Sequence, residues 1–118
     1  MLTIFSIPKA FEGPTAVNQR TAIKSWTLLK LGCQVILLGD DPGTGEAAEE
    51  LGVKHIPNVN TNEFGTPLLD DAYRLAESEV TYPLLCYVNA DIILMTDLTA
   101  AVKQVQEHAD WFLMTARR

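Results

Sequence analysis

The sequence is poor in the features that mark proteins acting on nucleic acids. Only 9 of its 118 residues are Lys or Arg, against 15 Asp or Glu, so the formal net charge is −6. The basic residues are scattered along the chain and form no patch. Because nucleic-acid-binding proteins neutralise phosphates with clustered Lys and Arg, this charge balance argues against a nucleic-acid partner.

Long apolar runs and paired cysteines are missing as well. No apolar stretch approaches the roughly 20 residues of a membrane-spanning helix. Residues 1–8 lack the basic start and small-residue cleavage site of a signal peptide. The two cysteines, Cys33 and Cys86, form no C-x-x-C motif, which favours two reduced core thiols. We therefore expect a cytoplasmic protein without a membrane span.

The remaining composition is that of an ordinary folded domain. Hydrophobic residues make up 47% of the chain and charged residues 20%. The sequence contains no internal repeat, low-complexity tract or linker. At this length one hydrophobic core is expected, so we predict a single domain over residues 1–118.

Strand and helix patterns alternate along the chain. Five short apolar runs predict strands at 2–7, 35–38, 53–56, 84–88 and 111–114. Between the runs, apolar residues recur at helical spacing. This order predicts an α/β fold with a mostly parallel, five-stranded sheet flanked by helices.

Individual positions refine this prediction. Four apolar residues are expected in the core: Trp26, Leu37, Val88 and Leu113. Thr66 followed by Pro67 has the pattern of a helix N-cap with Pro at the first helical position. The third helix is therefore predicted to begin there.

Polar side chains follow three of the predicted strands. Pro8-Lys9 comes after the first, Asp40-Asp41 after the second and Asn89-Ala90-Asp91 after the fourth. The carboxyl ends of parallel strands share one edge of a sheet, which is where such folds bind ligands. Asp91 suits Mg²⁺ or Mn²⁺ bound with a diphosphate, since hard cations take oxygen ligands. In the alternative interpretation no ligand is bound: Asp91 caps the following turn and Asn89 hydrogen-bonds the backbone. The three residues taken alone favour this alternative.

A second motif has the form of a dinucleotide-binding fingerprint. Residues 43–48 match G-x-G-x-x-A between a strand and a helix. The fingerprint needs its glycines tight against the strand end, but here Asp40, Asp41 and Pro42 intervene. The two carboxylates would also repel a phosphate. We interpret the glycines as turn and helix-start residues.

Five segments resemble motifs of uncharacterised glycosyltransferase-like proteins with the GT-A fold, and the resemblance runs nearly end to end. The segments are Ile7-Pro8-Lys9-Ala10-Phe11-Glu12-Gly13, Gln19-Arg20-Thr21-Ala22-Ile23-Lys24-Ser25-Trp26, Glu50-Leu51-Gly52-Val53-Lys54-His55-Ile56-Pro57, Asn62-Glu63-Phe64-Gly65-Thr66-Pro67-Leu68-Leu69 and Tyr87-Val88-Asn89-Ala90-Asp91-Ile92. The resemblance implies a Rossmann-like GT-A nucleotide-binding half.

In GT-A enzymes a D-x-D motif after the fourth strand holds the ribose and the metal of a nucleotide-diphosphate sugar. Asn89-Ala90-Asp91 falls on this motif with Asn in place of the first Asp. The resemblance therefore implies Asp91 as the ligand of Mn²⁺ or Mg²⁺. Asn89 can still hydrogen-bond a ribose hydroxyl but contributes no charge.

The resemblance also assigns roles to other positions. It places Pro8 and Lys9 beside the base, Asp40 or Asp41 against the nucleobase or ribose, and Asp70, Asp71 or Arg74 in the helix beneath the nucleotide. Of the basic residues Arg20 and Lys24, Arg20 is the better candidate for a phosphate contact. Asp41 is equally suited to cap a helix, Arg20 could belong to a solvated face, and acids such as Asp71 favour a first helical turn anyway.

The resemblance implies transfer of a sugar from a nucleotide diphosphate. GT-A enzymes continue with an acceptor-binding half that carries the catalytic base, and we expect only the donor-binding half here.

The alternative is a non-catalytic binding or assembly module, which Asn89 and the missing half favour. A nucleotidyltransferase is a weaker alternative, since residues 9–13 make a poor Gly-rich basic loop. Absence of the second half should expose the apolar surface that normally meets it, so we predict a homo-oligomer in the form of a two-fold dimer.

Overall fold

The computed structural model describes residues 2–29, 33–64, 67–79 and 84–108. These residues form an α/β unit in which four strands and four helices alternate. The strands are β1 (Leu2–Ser6), β2 (Cys33–Leu38), β3 (Lys54–Ile56) and β4 (Leu84–Tyr87). The helices are α1 (Gly13–Thr27), α2 (Thr44–Leu51), α3 (Leu69–Ser78) and α4 (Thr96–Gln106). The predicted fifth strand at 111–114, with Leu113, lies outside the described residues.

The described sheet is entirely parallel, with the strand order β3-β2-β1-β4. Leu2 at the start of β1 pairs with Cys33 on one side and with Leu84 on the other. The chain therefore moves from β1 outward to β3 and then returns to the opposite side of β1. This reversal is a topological switch point, and it lies between β1 and β4.

The helices cover both faces of the sheet. On one face Leu2 and Ile4 of β1 pack with Trp26 of α1 and Ala48 of α2. On the other face Phe5 packs with Ala72 of α3. Right-handed crossovers explain the division, because the step from β3 to β4 runs opposite to the first two steps and carries α3 to the other face.

Burial agrees with the predicted core. Trp26 and Leu37 are fully buried, and Val88 is 8% exposed. In β2, residues 35–38 are all buried, with Val35 and Leu37 on the α1 face and Ile36 and Leu38 on the α3 face. This double coverage accounts for the unbroken apolar run in the sequence.

The predicted start of α3 at Thr66-Pro67 is wrong. The helix begins at Leu69, and Leu68 is its N-cap with an extended backbone. Pro67 instead forms an antiparallel bridge with Thr61, and the Leu68 N–H donates to the Asn60 carbonyl at 2.8 Å. These bonds close the preceding loop at its base, so the chain is still extended where the local pattern predicts a helical turn. Thr66 lies outside the described residues.

The two cysteines are unpaired and half-buried on the strands. The pKa of both thiols is raised, mainly because burial disfavours the charged thiolate. They are therefore neutral packing groups near pH 7. In the ranges described above, no helix is both long and apolar enough to cross a membrane.

Candidate functional site

A cleft of about 270 Å³ opens at the switch point, where β1 and β4 end. Three segments line it: the loop after β1, the N-terminal half of α1 and the turn after β4. The lining residues are Ile7, Lys9, Thr15, Asn18, Gln19, Asn89, Ala90 and Asp91. Three of the predicted site residues, Lys9, Asn89 and Asp91, are thus brought together.

A larger hollow of about 330 Å³ lies at the opposite edge of the sheet, where β2 and β3 begin. Its lining includes Thr27, Cys33 and Lys54 and none of the predicted site residues. Parallel sheets bind ligands at the carboxyl ends of their strands. We therefore assign the candidate site to the smaller cleft.

The loop after β1 is held in place by a buried side chain of α1. The Lys9 N–H donates to Gln19 Oε1 at 2.7 Å, and Gln19 Nε2 donates to the Lys9 carbonyl at 2.9 Å. Gln19 is only 2% exposed. The amide thus satisfies both backbone groups of Lys9 while the lysine side chain remains exposed beside the cleft.

The segment after β4 is anchored to the same helix. The Ile92 N–H donates to the Asn89 carbonyl at 3.1 Å, which closes a turn over Ala90 and Asp91. Trp26 Nε1 donates to the Ile92 carbonyl at 2.8 Å, and the Leu94 N–H donates to Ser25 Oγ at 3.0 Å. The side chains of Asn89 and Asp91 are exposed on either side of buried Ala90.

The loop after β2 lies next to the loop after β1 but outside the cleft lining. The Phe11 N–H donates to the Pro42 carbonyl at 2.7 Å, and Asp40 and Asp41 are exposed. Asp41 does not cap α2 with its carboxylate, as one interpretation predicted. The N-cap is Gly43, and the Asp41 carbonyl accepts hydrogen bonds from the backbone and hydroxyl of Thr44.

Pro8 and Arg20 occupy different environments from Lys9. Pro8 is buried and supports the loop. Arg20 forms an ion pair with Glu50 of α2 and lies over the ring of Phe11, 5.6 Å from its centroid. It does not contribute to the cleft lining. The predicted phosphate contact would therefore have to compete with these two interactions.

Asp71 has a structural role in this fold. It is 7% exposed, and its carboxylate accepts hydrogen bonds from the Asn60 N–H at 2.8 Å and from Arg74 at 2.6 and 3.0 Å. These bonds tie the closed loop before α3 to the first turn of that helix. The hydrogen bond from the Asn60 N–H contributes most to holding the pKa of Asp71 below its usual value, and the hydrogen bonds from Arg74 contribute next.

We expect this anchor to be sensitive to acid. A lowered pKa means that the native carboxylate adds stability at neutral pH, and that this stability is lost as pH falls below about 4. Asp71→Asn should lower stability at neutral pH and weaken its dependence on pH in this range. Urea unfolding of the wild type and the variant at a series of pH values measures the effect. Equal pH profiles would contradict it.

The donor set of the cleft fits a hard cation only in part. Among the described residues, no three His, Cys, Asp or Glu side chains are close enough to hold a metal between them. Asp91 supplies one carboxylate, and Asn89 offers an amide oxygen. Mg²⁺ is commonly bound by one or two carboxylates together with phosphate oxygens and water. The residues present are therefore compatible with a metal that arrives with a diphosphate.

Sequence reasoning missed three polar contributors, all on α1. Gln19, Ser25 and the indole N–H of Trp26 hold the two walls of the cleft. Trp26 was predicted only as a core residue. A signal did exist for Gln19, since it shares the buried helix face of Ile23 and Trp26 at helical spacing. A primary amide on an apolar face needs buried hydrogen-bond partners.

The end of β1 also contains an unsatisfied polar group. Ser6 is fully buried, and its hydroxyl has no hydrogen-bond partner among the described residues. A buried hydroxyl without a partner is costly, and such groups are uncommon in native folds. Ser6 directly precedes Ile7, which lines the cleft. Ser6 itself is not part of the cleft lining.

We compared the chain with protein-family models, curated proteins and solved structures, and none of the three comparisons gave a match. A functional assignment therefore depends on the geometry of the cleft and on the motif resemblance.

Proposed function

We propose that the cleft between the ends of β1 and β4 binds a nucleotide-diphosphate sugar together with Mg²⁺ or Mn²⁺. In this proposal the chain contributes the donor-binding part of a GT-A-like glycosyltransferase. The observation that carries it is the meeting of Lys9 with Asn89 and Asp91 in one cleft. The three residues come from segments about 80 positions apart and meet only at the switch point.

The charges in the cleft suit a diphosphate with a metal. Lys9 would supply a cation for phosphate oxygens, and Asp91 would supply a carboxylate for the metal that accompanies the diphosphate. The N-terminal half of α1 contributes Thr15 and Asn18 to the lining. The positive end of the helix dipole favours an anion there. Asn89 would hydrogen-bond a ribose hydroxyl without adding charge.

The size of the cleft suits part of the donor. Its volume of about 270 Å³ is slightly below the roughly 300–1,000 Å³ of typical ligand pockets. This space matches the diphosphate and metal better than the whole molecule. The nucleoside would extend over the neighbouring loop that carries Asp40 and Asp41, which the resemblance assigns to the base or ribose.

Calorimetric titration of nucleoside diphosphates, with and without Mn²⁺, tests this proposal. We expect weak, metal-dependent binding by the wild type, since the motif has a single carboxylate. Asp91→Asn should lower affinity in Mn²⁺ by about tenfold or more and abolish the metal dependence. Asn89→Asp should strengthen metal-dependent binding. No binding by the wild type at millimolar ligand would reject the donor site.

Asp97→Asn is the matched control for this titration. Asp97 is exposed in the first turn of α4 and lies outside the cleft lining. The substitution removes the same charge six positions away and should leave nucleotide affinity unchanged. A loss of affinity equal to that of Asp91→Asn would mean that net charge, and not metal ligation, is responsible.

The second candidate is a non-catalytic binding or homodimeric assembly module. Two observations favour it: Asn89 lacks the first charge of the motif, and the exposed apolar side chains of Ile93 and Met95 follow the triplet within four residues. Exposed apolar surface of this kind tends to become an interface. A dimer in sedimentation, together with no nucleotide binding, would favour this candidate over the donor site.

A further inference from the structure

We propose that Gln19 is the positioning residue of the cleft, because it fixes the backbone of Lys9 so that the lysine ammonium can meet the diphosphate. This inference rests on the proposed function and adds a specific role to a residue that does not itself carry charge. It predicts that the neutral amide, with one donor and one acceptor in use, is required at this position.

The burial of Gln19 is not explained by packing alone. Its side chain lies on the face of α1 that also buries Ala22, Ile23 and Trp26. A long apolar residue would fill this position without the cost of removing an amide from water. The amide is stabilised there by two hydrogen bonds, and both go to the backbone of the same residue, Lys9.

The position of Lys9 explains why such a clamp is needed. The ladder between β1 and β2 ends at the pair Ser6 and Leu37. Lys9 therefore lies beyond the sheet, where strand pairing no longer sets the backbone. Gln19 replaces the missing ladder at Lys9, an exposed residue that follows buried Pro8 and lines the cleft.

The same helix fixes the opposite wall of the cleft. Trp26 and Ser25 hold Ile92 and Leu94, directly after Asp91. One helix therefore holds the backbone on both sides of the cleft, at Lys9 and directly after Asp91. Binding sites depend on supporting residues of this kind, which position the segments that carry the contacting groups. Gln19 supports the backbone from which the Lys9 side chain extends.

The substitution Gln19→Glu tests the clamp with almost no change in shape. At neutral pH its carboxylate can accept from the Lys9 N–H but cannot donate to the Lys9 carbonyl, and it adds a negative charge near the diphosphate. We expect about a tenfold loss of affinity for a nucleoside diphosphate in Mn²⁺. Protonation of the buried carboxyl restores the donor. The affinity relative to wild type should therefore recover as pH falls, in protein whose circular dichroism shows it folded at both ends of the pH range. Gln19→Met, which adds no charge, separates loss of the clamp from repulsion of the ligand by the new carboxylate.

Two further variants complete the experiment. Gln19→Met has similar length and no hydrogen bonds, so it should lose affinity without recovery in acid, and it keeps the test informative if Gln19→Glu does not fold. Gln34→Glu is the matched control, since Gln34 also donates to a backbone carbonyl, that of Glu79 at 3.0 Å, but lies outside the cleft lining. Its affinity should equal that of the wild type.

The outcomes separate the inference from the proposed function. If the wild type binds a nucleoside diphosphate and both Gln19→Glu and Gln19→Met bind it with the same affinity at neutral pH, the positioning role is overturned. The donor site then remains intact. A wild type that binds no nucleoside diphosphate would reject the donor site and the positioning role with it. Loss of affinity in both variants, with recovery in acid for Gln19→Glu alone, would establish the clamp.

Discussion

Replacing Trp26 with alanine is expected to lower the free energy of unfolding by about 3–5 kcal/mol. Trp26 is fully buried against the α1 face of the sheet, and its indole N–H is bonded to the Ile92 carbonyl at 2.8 Å. The substitution removes the packing and leaves a carbonyl without its donor. Typical domains are stable by only about 5–15 kcal/mol, so a large part of the total would be lost.

Urea unfolding followed by far-ultraviolet circular dichroism measures this effect. Phe64→Ala is the control, because Phe64 is 83% exposed and its loss should change stability very little. Trp26→Phe keeps an aromatic ring in the core and removes the donor together with part of the indole, so it isolates the hydrogen bond better than Trp26→Ala does. We expect it to cost about 1–3 kcal/mol. No cost from Trp26→Phe would mean that the Ile92 hydrogen bond does not anchor the segment after β4.

Gly43→Ala is expected to destabilise the protein by about 2–5 kcal/mol, through two separate effects. Gly43 has a φ of 89°, a left-handed conformation that costs other residues about 1–2 kcal/mol. A Cβ at this position would lie 2.7 Å from the Cβ of Phe11. Non-bonded carbon atoms prefer about 3.5–4.0 Å, and overpacking costs about 1–3 kcal/mol.

Gly52→Ala is the matched control for Gly43→Ala. Gly52 also has a left-handed backbone, with φ of 69°, but an added Cβ would meet no atom within 4 Å. Its substitution should cost only the conformational part, about 1–2 kcal/mol. The difference between the two variants in urea unfolding therefore measures the Phe11 contact. Equal losses would contradict the close approach of the loops after β1 and β2.

Part of the candidate site could be predicted from the sequence because parallel strands end at a common edge. Lys9, Asn89 and Asp91 were predicted from the polar residues that follow apolar runs, and the structure brings them to one cleft. Arg20 and Asp71 were predicted on polarity and resemblance, but both are engaged in ion pairs within the fold. A charged residue in a sequence does not reveal whether its partner is a ligand or another side chain.

The start of α3 shows the limit of local patterns. Thr66-Pro67 has a good helix-start signature, yet the bridge between Thr61 and Pro67 keeps the chain extended until Leu68. Asp41 shows the same limit, since its carbonyl and not its carboxylate supports the start of α2. At the start of α3 the bridge between Thr61 and Pro67 outweighs a local preference of a fraction of a kcal/mol to about 1 kcal/mol.

The alternation of strands and helices and the core positions Trp26, Leu37 and Val88 follow from the pattern of apolar residues alone. These features depend on local spacing, since a period of two or of about 3.6 residues is sufficient to place a side chain on a buried face. The strand order β3-β2-β1-β4 depends instead on contacts between distant segments. It decides that the ends of β1 and β4 border the same cleft, and that Gln19 clamps Lys9 while Trp26 and Ser25 hold Ile92 and Leu94. Such pairings exist only once the sheet has assembled, because they join groups up to 69 residues apart.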